Sequence, residues 1–214
     1  MKQYKYCISK YFIKYDSSIR SRNDIVMLLL NIVKFLLQVN VCDDFESTKD
    51  VELIIKVDKM SRIFICTEEK IHTFHFPFEL KTISNKFQIC YQGEIIDNLH
   101  IAVLMSLFYE VNIISDINQL YELFLDIEKI NQLSKEDFRL CSKLITLLLS
   151  FEIGYLRYDY DERYNNGDIH PLNHLDINFT NGSTFKLGLK EKINQTVLDD
   201  IVDTGTNCHY LVKS

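Results

Sequence analysis

Proline and glycine are scarce in this chain, with two and six in 214 residues. So few breaker residues exclude a disordered polymer or a long flexible linker. The six cysteines, at positions 7, 42, 66, 90, 141 and 208, include no C-x-x-C pair, which excludes a zinc knuckle or redox motif of that spacing. A Gly-rich phosphate loop, G-x-S-x-G and H-E-x-x-H are all missing, and with them the commonest motif-borne chemistries. The strongest apolar run, residues 25–39, is too short to cross a bilayer and is interrupted by Asn31 and Lys34. The first fifteen residues are too polar for a secretory signal, so the expected setting is the cytosol with reduced thiols.

What is present fits a protein with a real core, since hydrophobic residues make up 47% and charged residues 25%. The net charge of −6 is unevenly spread: residues 1–22 carry +5, leaving −11 on the remainder. Tyr4, Tyr6, Tyr11, Phe12 and Tyr15 lie among those basic residues. Such a segment suits either a helix or strand docked on the acidic body or an arm for nucleic acid.

Along the chain the hydrophobic period changes. Ile25, Leu28, Leu29, Ile32, Leu36 and Val39 share one helical face behind a capping-box start at Ser21 and Asp24. Residues 51–92 alternate and predict an antiparallel meander, with strands at 51–57, 62–67, 70–78 and 86–92. His72 and His75, an odd offset apart, point to opposite faces of their strand. Residues 97–152 return to helical spacing, with starts near Asn98, after Ser115 and at the Ser134 cap. No composition break marks a boundary. The expected fold is a single α+β domain over 1–214, with antiparallel β-meanders around a helical middle.

The polar meander of residues 155–190 holds the candidate site. Arg157, Asp159 and Asp161 share one face of a strand, and His174 and Asp176 share one face of another. A three-residue Thr180-Asn181-Gly182 loop pairs Ile177 with Phe185 and Leu175 with Leu187, with Gly182 in the left-handed position. Asp176 then faces Lys186. If the two strands lie side by side, Asp159, Asp161, His174 and Asp176 converge, and His170 can join from the loop fixed by Pro171. Three readings follow. Asp159, Asp161 and His174 could perform acid–base catalysis. His170, His174 and Asp176 could hold a divalent metal ion, the one cofactor this set suggests. Arg157, His170, Asp176 and Lys186 could form a structural cluster or a recognition surface, held by ion pairs of about 0.2–1 kcal/mol each.

The runs LRYDYD (156–161) and HPLNHLD (170–176) resemble a bacterial family of unknown function, domain of unknown function 2290. Its members share an Arg-aromatic-Asp-Tyr-Asp run followed by His-Pro-x-x-His-Leu, matched here by Arg157, Asp159, Asp161, His170, Pro171 and His174. Asp176 stands where the family often has His or Thr. The resemblance implies no activity. The context it implies is an accessory gene set, such as one for defence against phage. The expected function is accordingly that of a cytosolic bacterial accessory protein acting through protein partners, in a phage-defence or toxin-like system. The alternatives are a metal-assisted hydrolase or nuclease using the Asp/His cluster, and a nucleic-acid-binding subunit using residues 1–22.

Overall fold

The computed structural model describes residues 2–9, 19–39, 51–57, 60–110, 117–180 and 182–210. Within them the chain forms ten antiparallel strands in two sheets and five helices, a mixed α+β fold. None of these helices is long and apolar enough to cross a membrane. The chain divides into two compact units, one from Met1–Lys10, Phe45–Phe76 and Ile153–Ser214, the other from Tyr11–Asp44 and Pro77–Glu152. Each unit is assembled from separated segments, so no shift in composition along the chain marks where one gives way to the other.

The first unit is a seven-stranded antiparallel sheet. Its strands are β1 (Lys2–Ile8), β2 (Val51–Val57), β3 (Arg62–Cys66), β4 (Lys70–His75), β8 (Leu156–Tyr160), β9 (Asn173–Ile177) and β10 (Phe185–Leu189), in that spatial order. Paired residues share a face, so the register sorts every side chain. One face carries Ile54, Phe64, Ile71, Leu156, Tyr158 and Leu175. The short helix α5 (Gln195–Val202) lays its fully buried Leu198 among them. The α5 residue Asp199 also pairs with Lys56 of β2, whose side chain is 3% exposed. The opposite face changes character across the sheet. At β2 to β4 it is aliphatic and aromatic, with Leu53, Ile55, Ile63, Ile65 and Phe74 all buried. At β8 to β10 it is charged, with Arg157, Asp159, His174, Asp176 and Lys186.

The second unit holds α1 (Arg22–Gln38), α2 (Asn98–Glu110), α3 (Ile117–Asn131), α4 (Lys135–Ser150) and a small sheet of β5 (Glu79–Ile83), β6 (Lys86–Tyr91) and β7 (Glu94–Ile96). Helix α1 packs on α2 and β6, and α2 also meets α3 and α4. The expected caps are present. Ser21 and Asp24 form a reciprocal capping box on α1, and the Ser134 hydroxyl accepts from Asp137 N–H on α4.

Two expectations are corrected. Residues 51–92 are not one meander: β4 stops at His75, and β5 to β7 belong to the other sheet. Pro77 explains the break, because it has no N–H for a ladder, and the last rung before it is Phe76 N–H to Ser61 O at 3.0 Å. Gly182 does not take the left-handed conformation. Asn178 does, at φ 67°. Asn tolerates this region because its short polar side chain can bond locally, and here its Nδ2 donates to Ser183 O at 3.3 Å. The predicted register nevertheless holds, with Phe185 opposite Ile177, Lys186 opposite Asp176 and Leu187 opposite Leu175. Asn181 lies outside the described residues, as do Tyr11, Phe12 and Tyr15 of the basic segment. Within that segment, β1 pairs with β2, Tyr6 is buried, and Lys5 lies 3.7 Å from Glu52.

Candidate functional site

Strands β8 and β9 do lie side by side, with Arg157 opposite Asp176 and Asp159 opposite His174. Strand β10 adds Lys186 opposite Asp176. Three adjacent strands therefore bring five ionisable side chains to one patch, and the alternation that buries Leu156, Tyr158 and Leu175 on the other face obliges them to meet.

Arg157 organises the patch. Its Nε lies 2.9 Å from each carboxylate oxygen of Asp159, and its Nη2 donates to Asp159 Oδ2 at 2.6 Å and Asp176 Oδ2 at 2.5 Å. One guanidinium thus clamps two carboxylates, the planar fork geometry that Lys cannot reproduce. Burial opposes the charge on Arg157, but Asp159 and the neighbouring anions outweigh it and raise its pKa. Burial would likewise raise the Asp159 carboxyl. The His174 contact and the Arg157 hydrogen bonds win, and hold it below the usual carboxylate range.

His174 is wholly buried. Its Nδ1 donates to Pro171 O at 2.8 Å, which directs Nε2 into the patch. Nε2 lies 2.9 Å from Lys186 Nζ, 3.5 Å from Asp159 Oδ2 and 4.0 Å from Asp176 Oδ1. The Asp159 interaction raises the basicity of the ring, against burial and the Lys186 ammonium. The two contacts exclude one another: a protonated Nε2 donates to Asp159 and repels Lys186, whereas a neutral Nε2 accepts from Lys186. The shorter distance is the Lys186 contact, so the geometry is that of the neutral ring. Arg157 and Lys186 then balance Asp159 and Asp176 charge for charge.

Asp161 and His170 sit beside this group. Strand β8 ends at Tyr160, Asp161 N–H still donates to Leu172 O at 2.9 Å, and the Asp161 carboxylate accepts from Tyr164 N–H at 3.0 Å. Its Oδ2 lies 3.3 Å from His170 Nε2. The His170 ring stands edge-on to His174 with centroids 4.7 Å apart. Among the described residues, Asp159, His174 and Asp176 form a group whose donor atoms fall within 4.8 Å of one another. Of the expected metal set, His174 and Asp176 belong to this group and His170 faces Asp161 instead. Of the expected catalytic set, Asp159 and His174 meet and Asp161 stands apart.

His72, which sequence reasoning reads as an ordinary strand residue, joins the edge of the patch. It lies opposite Arg157 on β4, and its Nδ1 meets the Tyr155 hydroxyl at 2.9 Å. Burial, helped by Arg157, pushes its pKa down to about 3, while burial pushes Tyr155 up to about 12. The contact therefore joins a neutral phenol to a neutral ring. No local pattern could reveal this, because β4 and β8 are far apart in the chain.

No family model, curated protein or solved structure matches the chain.

Proposed function

We propose that the protein acts by binding a partner protein, and that the contact is strand addition at the outer edge of β10. The unguarded edge carries this reading. Strand β10 ends the seven-stranded sheet, and among the described residues nothing pairs with its outer side. At the other end of the sheet, β1 presents exposed Lys2 and Lys5, the usual protection against unwanted pairing. Strand β10 reads FKLGL. Its one charge, Lys186, is engaged with Asp176 and His174, and Phe185 is 53% exposed.

A cavity of about 610 Å³ opens against the same strand, with Leu175, Leu187, Leu189 and Ile201 in its wall beside Asp200 and Asp203. In strand addition, main-chain bonds supply affinity and such pockets select side chains. Exposed Lys190 and Lys192 follow β10 with exposed Glu191 between them, so the occupant is an extended segment of another protein that sets an acidic residue on this strip and an apolar one in the cavity. A second copy would set two lysine-bearing strips against each other. The charge cluster, on this reading, holds β8, β9 and β10 in register behind the binding edge. The family resemblance supplies the context, an accessory or phage-defence gene set whose neighbouring genes encode the partner.

The test is co-purification with products of the adjacent genes, followed by amide hydrogen exchange. Protection of residues 185–189 by the partner, lost in Phe185→Glu, supports the reading. A partner that leaves those amides unprotected, or a dimer of this chain that covers them, overturns it.

A further inference from the structure

We propose that Asp159, His174 and Asp176 form a divalent-cation site, whose centre the Lys186 ammonium holds until a metal ion displaces it. This does not depend on the partner-binding reading. Three observations carry it.

The first is the aim of His174. With Nδ1–H committed to Pro171 O, the ring is in the tautomer that offers the Nε2 lone pair. A backbone acceptor on the far nitrogen is the usual outer-shell support of a metal-bound histidine. The second is spacing. A tetrahedral ion with bonds of about 2.0–2.1 Å sets its ligand atoms about 3.3 Å apart. His174 Nε2 is already 3.5 Å from Asp159 Oδ2 and 4.0 Å from Asp176 Oδ1, and all three donor atoms lie within 4.8 Å of one another, so the site closes by side-chain shifts of about 1 Å. The third is Asp176 itself. Its side chain is 10% exposed, and its buried Oδ1 has no aligned hydrogen-bond donor. Lys186 Nζ lies 2.9 Å away, an ion-pair distance without hydrogen-bond alignment.

Lys186 thus sits 2.9 Å from two of the three donor atoms, the place a bound cation would take. Its side chain is 34% exposed on an edge strand, so it can swing to water when displaced. Arg157 remains on Asp159 and on Asp176 Oδ2, fixing both carboxylates from behind. One imidazole and two carboxylates suit a borderline ion such as Zn²⁺ or Co²⁺. Exchanging an ammonium for a divalent ion leaves the cluster one positive charge in excess, so the remaining coordination position favours an anionic group.

The experiment titrates Zn²⁺ and Co²⁺ into the full chain in a Cys208→Ser/His209→Gln background, which removes the exposed Cys208 and the His209–Asp200 contact. One equivalent should bind, with Co²⁺ giving the visible absorption of a four-coordinate site. Lys186→Met, which removes the competing ammonium, should tighten binding at least tenfold. Asp176→Asn should weaken it at least tenfold. Should Asp176→Asn fail to fold, the His174 Nε2 nitrogen resonance decides: a large shift on adding Zn²⁺ to the unsubstituted cluster supports the site. No stoichiometric binding, unchanged affinity in Lys186→Met, or an unmoved His174 resonance overturns it.

Discussion

Asp159 and His174 are direct cross-strand partners, and Asp159 Oδ2 reaches 3.5 Å from the imidazole Nε2. Both are buried, and neither is left without an opposite charge or a hydrogen-bond partner. The cluster is therefore coupled: removing one member exposes the others to the cost of an unpaired buried group.

Arg157 should be the costliest member to remove. Arg157→Met leaves Asp159, with a side chain 4% exposed, and Asp176, with one 10% exposed, short of their shared cation. Loss of one partner from a buried network typically costs about 3–5 kcal/mol. Urea unfolding of the variant should show a loss of that order. Arg157→Met combined with Asp159→Leu should recover part of it. A loss below about 1 kcal/mol, the range of exposed pairs, would refute the claim that the network is buried and coupled.

His72 makes stability fall on acidification. Burial pushes its folded pKa down to about 3 from the ordinary histidine value of 6.5. The unfolded state therefore takes up a proton below about pH 6.5 that the folded state refuses. The contribution is fully present above that pH and is lost as pH falls from about 6.5 towards 3, by up to about 1.4 kcal/mol per pH unit. His72→Gln should flatten the curve through this window, measured as denaturation midpoint against pH. An unchanged slope would mean that His72 is not held neutral.

Gly188 is needed for a close approach. A Cβ there would meet Pro171 Cγ at 3.0 Å, and Gly188 lies opposite His174. Gly188→Ala should push the Pro171 segment outward, disturb the His174 Nδ1 bond to Pro171 O, and cost about 1–3 kcal/mol as overpacking does. The His174 imidazole resonances report the displacement, and Gly188→Ala with unmoved resonances would count against it.

Leu198 anchors α5. It is the fully buried residue of that eight-residue helix, which is too short to persist alone in water. Leu198→Ala should cost about 2–5 kcal/mol and speed amide exchange across residues 195–202 first. Uniform acceleration throughout the chain would instead indicate global unfolding.

What could be read from residue order was local. Ser21 with Asp24 and Ser134 with Asp137 set two helix starts, because capping acts within one turn. The alternation of 156–160 and 173–177 placed Arg157, Asp159, His174 and Asp176 on polar faces, and matching apolar faces set the β9–β10 register. The site itself needed more. That β8 lies between β4 and β9, that Arg157 reaches across to Asp176, and that His72 stands beside them all depend on pairings between distant segments. So does the separation of β5 to β7 into their own sheet. Period and caps are decided over three or four residues, whereas strand order is decided by burial of the whole sheet. The amino-acid order therefore determined which side chains were polar, where four of the five described helices began and which face each residue of the 155–190 strands joined. Only the assembled sheet decided that Arg157 would reach from Asp159 across to Asp176, because a charge is buried only where the fold brings its opposite within reach.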